Sequence, residues 1–209
     1  MTEVVDSPKE RILAHAQERF RHEGFAKISI DDLASSLGMS KKTIYKIFSN
    51  KEDIIEQIMN RRMGEIATSI DRIVAGSENF SGKLRGLMTF FGSIVGQVGF
   101  PMVQDVQRLL PHLWKKVEEF RAKRIIETFG NLVDQGMREG FIRPDLNKRL
   151  FLLAYLNSVQ QIMQPAVLAH ESFSAREAIQ EIIEIFFRGT MTDAGRKQFE
   201  QLQQQQSSL

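Results

Sequence analysis

Residues 29–51 have the sequence SIDDLASSLGMSKKTIYKIFSNK, and the pattern of this stretch predicts how the N-terminal part of the chain folds. Ser29 with Asp32 three residues later is typical of a helix start, since the pair can satisfy free backbone N–H groups. Gly38 is predicted to end that helix, because glycine adopts the left-handed conformation without a Cβ penalty. Two residues further on, Ser40 is predicted to cap a second helix. Two short helices joined so tightly cross steeply, which is the layout of a helix-turn-helix.

The second predicted helix, at about 41–48, has one apolar and one cationic face. Between Leu33 and Lys51 there are four lysines and no aspartate or glutamate, whereas the net charge of the whole chain is only +2. Positive charge focused on one face is the electrostatic signature of phosphate binding, and the second helix of this motif enters the DNA major groove. The alternative, a merely solvated lysine face, leaves the preceding helix, the glycine turn, the two caps and the missing acids unexplained. The residues predicted to face outward are Lys41, Lys42, Tyr45 and Lys46.

The composition restricts the class of protein. The 209 residues are 42% hydrophobic, which is enough for a packed core, and patterns of helical period run through almost the whole chain. We therefore predict an all-α protein. The chain has no cysteine, so disulfides, zinc fingers and thiol catalysis are excluded. Neither an apolar run long enough to span a membrane nor a signal segment is evident, and a cytoplasmic location is expected.

The helical pattern predicts four segments. Residues 1–50 form a helix-turn-helix domain, with a first helix at about 8–22 started by Ser7, Pro8 and Glu10. Residues 51–75 form a connecting helix. Residues 76–191 form a second helical domain, with helices at about 83–98, 101–110, 112–139, 146–169 and 175–189. Residues 192–209 form a short helical extension and a polar, irregular tail.

The first fifty residues resemble the tetracycline-repressor (TetR-like) family of bacterial transcriptional regulators. The resemblance rests on residues 12–20, ILAHAQERF, on Gly24-Phe25, on residues 30–48, and on residues 49–53, SNKED. The chain departs from the family at Lys42, where a small residue is usual, and at Ile47, where a second aromatic is usual.

The resemblance implies a homodimeric repressor that binds double-stranded operator DNA. Ser29 and Ser40 would contact phosphates from the helix starts, and Thr43, Tyr45 and Lys51 would also bind the DNA backbone. Lys41, Lys42 and Lys46 are the side chains placed for base edges or flanking phosphates, since lysine can reach guanine O6 and N7.

The resemblance also implies that the last two large helices pair with their copies in a four-helix dimer interface. Two recognition helices can then read half-sites about 34–36 Å apart. The alternative is that the apolar stripes of these helices face the core of their own chain. The interface residues predicted from the stripes are Tyr155, Ile162, Ile179, Ile183, Phe186 and Phe187.

Bulky apolar residues beside glycines in the middle of the chain predict an adaptable cavity for a small apolar effector. The alternative is an ordinary core in which helices approach each other closely at glycine. The predicted lining residues are Phe90, Phe91, Ile94, Phe100, Met102, Val103 and Trp114.

Four functions were compared on these features. A repressor released from a palindromic operator by a small apolar ligand accounts for most of them, and a DNA-binding regulator controlled by a protein partner is the alternative. An enzyme is disfavoured, because the sequence offers no nucleophile–base pair and no cofactor fingerprint. No cofactor or metal is expected, since the four histidines are isolated. A purely structural adaptor does not explain the segregated charge.

Overall fold

The computed structural model describes residues 7–95 and 99–206, and it is all-helical over that part of the chain. Within these ranges the only β-type pairing is an isolated antiparallel bridge between Ile142 and Met191. The predicted all-α class is confirmed. The helices are α1 (Pro8–Glu23), α2 (Ile30–Leu37), α3 (Lys41–Tyr45), α4 (Lys51–Ala75), α5 (Phe80–Val95), α6 (Phe100–Leu109), α7 (Pro111–Arg138), α8 (Lys148–Ile162), α9 (Pro165–Leu168), α10 (Ala175–Arg188) and α11 (Asp193–Gln206).

Side-chain caps fix several helix starts, as the sequence predicts. Ser29 and Asp32 form a complete capping box at α2, and Ser174 with Glu177 forms a second one at α10. At α1 the Ser7 hydroxyl accepts a hydrogen bond from the Glu10 amide, but the Glu10 carboxylate forms an ion pair with Arg61 of α4. The first predicted box is therefore half formed, because a cation on another helix competes for its carboxylate.

The chain divides into two compact units, which differ from the predicted segments. Unit 1 comprises Met1–Glu65 and Val98–Val117, and unit 2 comprises Ile66–Gln97 and Glu118–Leu209. The helices α4 and α7 each contribute residues to both units.

Unit 1 has one apolar core to which α6 and the start of α7 belong. Ile12 and Phe20 of α1, Ile44 of α3 and Ile55 of α4 are fully or almost fully buried in it. The helical pattern predicts that α6 belongs to the second domain. A unit of three short helices exposes much apolar surface, and α6 with the start of α7 covers part of it. The core residues that α6, its C-terminal end and α7 supply are Met102, Val106, Leu110, Leu113 and Trp114.

Unit 2 has a core rich in phenylalanine, built by helices α5, α7, α8, α10 and α11 with the end of α4. The predicted helix at 146–169 is two helices, because Pro165 cannot continue α8 and instead starts α9. The predicted irregular tail is helical to Gln206, and Phe199 of α11 is buried in this core; residues 207–209 lie outside the described part. Among the described helices no single one is long and apolar enough to cross a membrane, although α5 and α6 together would meet that criterion by length and composition.

Candidate DNA-binding surface

The turn between α2 and α3 has the conformation that its glycine predicts. Gly38 has φ +63° and ψ +31°, in the left-handed region. Its N–H donates to the Ser35 carbonyl at 3.2 Å, and the Met39 N–H donates to the Ala34 carbonyl at 2.9 Å. These two bonds form a Schellman motif, which satisfies carbonyls that the end of α2 leaves free. The chain therefore reverses direction over two residues and begins α3 at once.

The start of α3 is fixed by a short hydrogen-bonded network. The Ser40 hydroxyl accepts a bond from the Thr43 amide at 3.1 Å, and the Ser40 and Thr43 hydroxyls lie 2.9 Å apart. Ser29 is exposed at the start of α2, where its hydroxyl donates to the Asp32 carboxylate at 2.6 Å. Both serines sit at helix starts, as predicted, and there each hydroxyl already has a partner within the protein.

The side chains of α3 divide into an inner and an outer face. Ile44 is fully buried and Phe48 is almost fully buried, whereas the Tyr45 side chain is 54% exposed. Lys42 and Lys46 are exposed one helical turn apart, and neither has a side-chain partner among the described residues. Lys41 is exposed and forms an ion pair of 2.5 Å with Asp31 of α2. The face that carries Lys42, Tyr45 and Lys46 is called the cationic face below.

Lys51, predicted to bind the DNA backbone, lies outside the cationic face, and its ammonium group is hydrogen-bonded within the protein. Its ammonium group donates two hydrogen bonds of 2.9 Å to the carbonyls of Phe25 and Ile28, and lies 4.3 Å from the centre of the Phe25 ring. Burial lowers the pKa of Lys51, while nearby Asp105 and Asp32 act in the opposite direction. Lys51 therefore stabilises the loop between α1 and α2. Both of its hydrogen bonds are made to backbone carbonyls that have no partner within a helix.

Asp105 is a contributor to this region that the sequence analysis did not identify. Its carboxylate accepts a hydrogen bond of 2.8 Å from the Ala26 amide in the loop between α1 and α2. A Cβ atom on Gly24 would lie 2.6 Å from the same carboxylate. The contact joins residues about eighty positions apart, so no local pattern predicts it.

The seven residues predicted to line an effector cavity fall into both units. In unit 1, Met102 and Trp114 are buried in the core that supports α1 and α4, Val103 packs against that core, and Phe100 is 39% exposed. Met102, Val103 and Trp114 therefore support the helix-turn-helix, because α6 and the start of α7 complete its core. Phe90, Phe91 and Ile94 lie half-buried on α5 in unit 2.

Most of the predicted dimer residues face the core of their own chain, which corrects that prediction. Tyr155, Ile179, Ile183 and Phe187 are at most 6% exposed, and Ile162 and Phe186 are partly buried against the same core. The exposed apolar residues of these helices are instead Leu150 (63%) and Leu153 (45%) on α8 and Ile185 (60%) on α10. Both faces of α8 carry apolar residues, so periodicity could not show which one is buried.

Within the described residues no group of three or more His, Cys, Asp or Glu side chains could hold a metal ion. The histidine contacts that the structure shows are local hydrogen bonds. His15 lies 2.6 Å from the Ser36 hydroxyl, and His22 lies 2.8 Å from the Glu18 carboxylate. The chemistry that this surface supports is recognition of a polyanion, through the Tyr45 phenol and the ammonium groups of Lys42 and Lys46, for which the described residues supply no side-chain partner.

Comparison with known proteins agrees with this geometry. The sequence profile described as "Bacterial regulatory proteins, tetR family" matches residues 12–58, which run from the core of α1 through the turn into α4. The transcriptional regulator YvaF of Bacillus subtilis is 24% identical over 187 residues, which is 88% of this chain and 95% of YvaF. The transcriptional repressor KstR2 of Mycobacterium tuberculosis is 25% identical over 146 residues, 68% of this chain and 73% of KstR2.

The fold is also found among solved structures. The structure of the ketosteroid transcriptional regulator KstR2 of Mycobacterium tuberculosis matches with a TM-score of 0.58 and 20% identity, over 90% of this chain and 97% of that one. The fold and the cationic face define a DNA-binding protein of the helix-turn-helix class. The match at residues 12–58 is more particular: this helix-turn-helix segment is TetR-like, and the chain as a whole is similar to TetR-like transcriptional regulators.

Proposed function

We propose that the protein is a homodimeric repressor that binds a palindromic operator and is released by a small apolar effector. The observation that carries the proposal is the cationic face. Lys42 on α3 and Lys46 at its C-terminal cap are exposed and have no side-chain partner in the described part of the chain, while the other side of α3 is buried in an apolar core. A rigid helix with unpaired ammonium groups is suited to phosphate and base contacts in the major groove.

Tyr45 lies between the two lysines and adds a hydroxyl that can donate to phosphate. Lys41 is available as well, because an exposed ion pair with Asp31 contributes little and exchanges readily for a phosphate contact. Ser29, Ser40 and Thr43 serve mainly to fix the starts of α2 and α3. Lys51 is left out of the proposed contact set.

The proposed dimer surface is formed by Leu150, Leu153 and Ile185. The helices α8 and α10 pack against each other in unit 2, and large exposed apolar side chains on such a pair are typical of a protein interface. A second copy of the chain is the proposed occupant, since a palindromic site requires two recognition helices related by a twofold axis.

A small apolar effector is supported by the content of unit 2. The core there contains the buried rings of Phe80, Phe129, Phe151, Phe187 and Phe199, with the half-buried Phe90 and Phe91 beside it. The relative KstR2 is described as a ketosteroid transcriptional regulator, and ketosteroids are an apolar class of compound. Differential binding of an effector to two states of the dimer would change operator affinity about 5- to 150-fold.

The DNA part of the proposal is tested by binding to sequences selected from random duplex DNA. Tyr45→Ala and Lys46→Ala should each weaken binding at least about 10-fold, because each removes one contact from both copies. Lys197→Ala removes the same charge from an exposed position on α11 and should leave binding unchanged. Unchanged binding of both α3 variants, with folding intact, would contradict the assignment of the cationic face.

The dimer surface is tested by sedimentation equilibrium. Leu153→Glu should yield monomers, because two carboxylates would be buried without partners across the twofold axis. Leu109 on α6 is equally exposed at 45%, so Leu109→Glu is the control and should stay dimeric. A Leu153→Glu protein that remains a dimer would place the interface elsewhere.

A further inference from the structure

The side chains in the first turn of α3 differ in what they already contact. The Lys41 ammonium forms an ion pair of 2.5 Å with Asp31 of α2, and the Thr43 hydroxyl lies 2.9 Å from the hydroxyl of the cap residue Ser40. Lys42 lies between Lys41 and Thr43 in the chain, is exposed, and has no side-chain partner in the described part of the protein. Of the three, Lys42 therefore keeps its donors for an acceptor outside the protein.

The direction of the Lys42 side chain follows from the geometry of α3. Successive residues of an α-helix are rotated by about 100°, so side chains two positions apart lie on nearly opposite sides. Ile44 is fully buried, and Lys42 comes two positions before it. Lys42 therefore projects almost directly away from the core, while Lys41 and Thr43 lie on the two flanks of the helix.

These directions assign different parts of a DNA duplex to different side chains. A helix in the major groove meets base edges with the side chains that point away from its own protein, and it meets the phosphates with those on its flanks. Lys46 projects in nearly the same direction as Lys42, but it is the C-terminal cap of α3, one turn later. Because the first residues of a recognition helix contact base edges, Lys42 is placed to read a base and Lys46 to bind a phosphate.

The ammonium group determines which base Lys42 prefers. In the major groove guanine presents two acceptors, O6 and N7, whereas adenine presents N7 beside an amino donor and cytosine presents only an amino donor. An ammonium group donates and cannot accept, so the amino groups of adenine and cytosine do not match it. Thymine offers the single acceptor O4 beside its methyl group. Guanine is therefore the base with the most acceptors for Lys42.

We propose that Lys42 is the specificity-determining residue of α3, and that its ammonium group donates to O6 and N7 of a guanine at one position of each operator half-site. Lys41, Tyr45 and Lys46 then add affinity through phosphates without selecting a base. The inference rests on the proposed function, because it requires a DNA duplex on the cationic face.

The first experiment selects sequences from random duplex DNA with the wild type, Lys42→Gln and Lys46→Gln. Glutamine pairs with N6 and N7 of adenine, so Lys42→Gln should change the preferred base from guanine to adenine at one position of each half-site. Lys46→Gln is the matched control one turn further on. It should weaken binding and reduce its salt dependence without changing any base preference. Both positions are exposed, so both variants should melt at the wild-type temperature.

The second experiment tests the base atoms at the selected position. A duplex with 7-deazaguanine lacks the N7 acceptor, whereas inosine keeps O6 and N7 and lacks only the amino group in the minor groove. The wild type should bind the 7-deazaguanine duplex about 5- to 10-fold more weakly than the guanine duplex, and the inosine duplex within about 2-fold of it. Lys42→Ala should bind all three duplexes within about 2-fold of one another.

Three results would overturn the inference. They are an undiminished guanine preference in Lys42→Gln, a changed base preference in Lys46→Gln, and wild-type binding that is equally tight with guanine and with 7-deazaguanine. Failure of the proposed function would look different, because the wild type would then select no sequence from random DNA.

Discussion

Unit 1 and unit 2 are both helical, but different forces define their geometry. In unit 1 short-range polar contacts set the helix starts and the turn: Ser29 with Asp32, Ser40 with Thr43, and the Gly38 turn. In unit 2 the defining contacts are between aromatic rings far apart in the sequence, such as Phe80 with Phe187 and Phe129 with Tyr155. The first kind of contact specifies the direction of a short segment, and the second specifies which helices pack together.

The two tyrosines show what this difference means for recognition. Tyr45 is exposed on a helix whose opposite side is buried, so its hydroxyl is accessible to a partner that binds from outside. Tyr155 is enclosed by phenylalanine rings, so it contributes to the packing of unit 2 and presents nothing to a partner outside. A rigid polar surface suits a large, regular polyanion, whereas an enclosed apolar site suits a small molecule.

The largest effect is expected from removing a ring at the centre of unit 2. Phe187 is fully buried and contacts the rings of Phe80, Phe129, Phe151 and Tyr155. Phe187→Ala should lower the free energy of unfolding by about 3–5 kcal/mol, through lost burial and a cavity. Denaturant titration measures the loss. Phe173→Ala, at a ring that is 37% exposed, should cost much less, and similar losses at both positions would contradict the importance of the ring cluster.

A second test separates structural from DNA-binding lysines within unit 1. Lys51→Met removes two hydrogen bonds to carbonyls and should lower the free energy of unfolding by about 1–3 kcal/mol, with no change in the salt dependence of DNA binding. Lys46→Met should do the reverse, keeping stability while reducing DNA affinity and its salt dependence. Denaturant titration and binding at several salt concentrations measure both. Loss of salt dependence in Lys51→Met would return this residue to the DNA contact set.

The sequence predicts unit 1 well wherever a contact lies within a few residues. The Ser29 cap, the Gly38 turn and the outward face of α3 follow from local hydrogen bonding and from helical period. The sequence does not predict the hydrogen bonds of Lys51, because its partners, Phe25 and Ile28, lie more than twenty residues earlier, and a lysine after a recognition helix looks the same whether it binds carbonyls or phosphates.

In unit 2 the sequence does not predict which face of a helix is buried. Helix α8 has apolar residues on both sides, with Tyr155 and Phe151 inside and Leu150 and Leu153 outside, so a periodic pattern alone does not distinguish core from interface. The placement of α6 in unit 1 is also not predictable from the periodic pattern. Met102 is apolar in either unit, and only long-range packing decides which core it joins.

A third test makes the same Gly→Ala substitution at two glycines of unit 1, where the free energy of unfolding should change in opposite directions. At Gly38 the φ of +63° disfavours any side chain, although no atom lies within 4 Å of the added Cβ. Gly38→Ala should therefore cost about 1–2 kcal/mol and weaken DNA binding through the turn. Gly64 lies inside α4 with equally open space, so Gly64→Ala should stabilise by about 0.5–1 kcal/mol. Denaturant titration of both variants checks the signs, and a gain at Gly38 would exclude backbone conformation as the reason for glycine.

The smallest effect is expected on the melting temperature, when the equivalent caps of the two units are removed and the pH is lowered. Hydrogen bonds from the serine partner lower the pKa of Asp32 in unit 1 and of Glu177 in unit 2. A carboxylate whose pKa is lower in the folded state adds stability above its unfolded pKa of about 4, and this contribution is lost as the pH falls through the folded value. Asp32→Asn and Glu177→Gln should each melt slightly below the wild type at pH 7, and the difference should vanish at about pH 2–3. Because the Asp32 box sets the direction of α2, only Asp32→Asn should also reduce DNA binding at pH 7. Equal DNA binding by the two variants would mean that Gly38 and Ser40 alone orient α3.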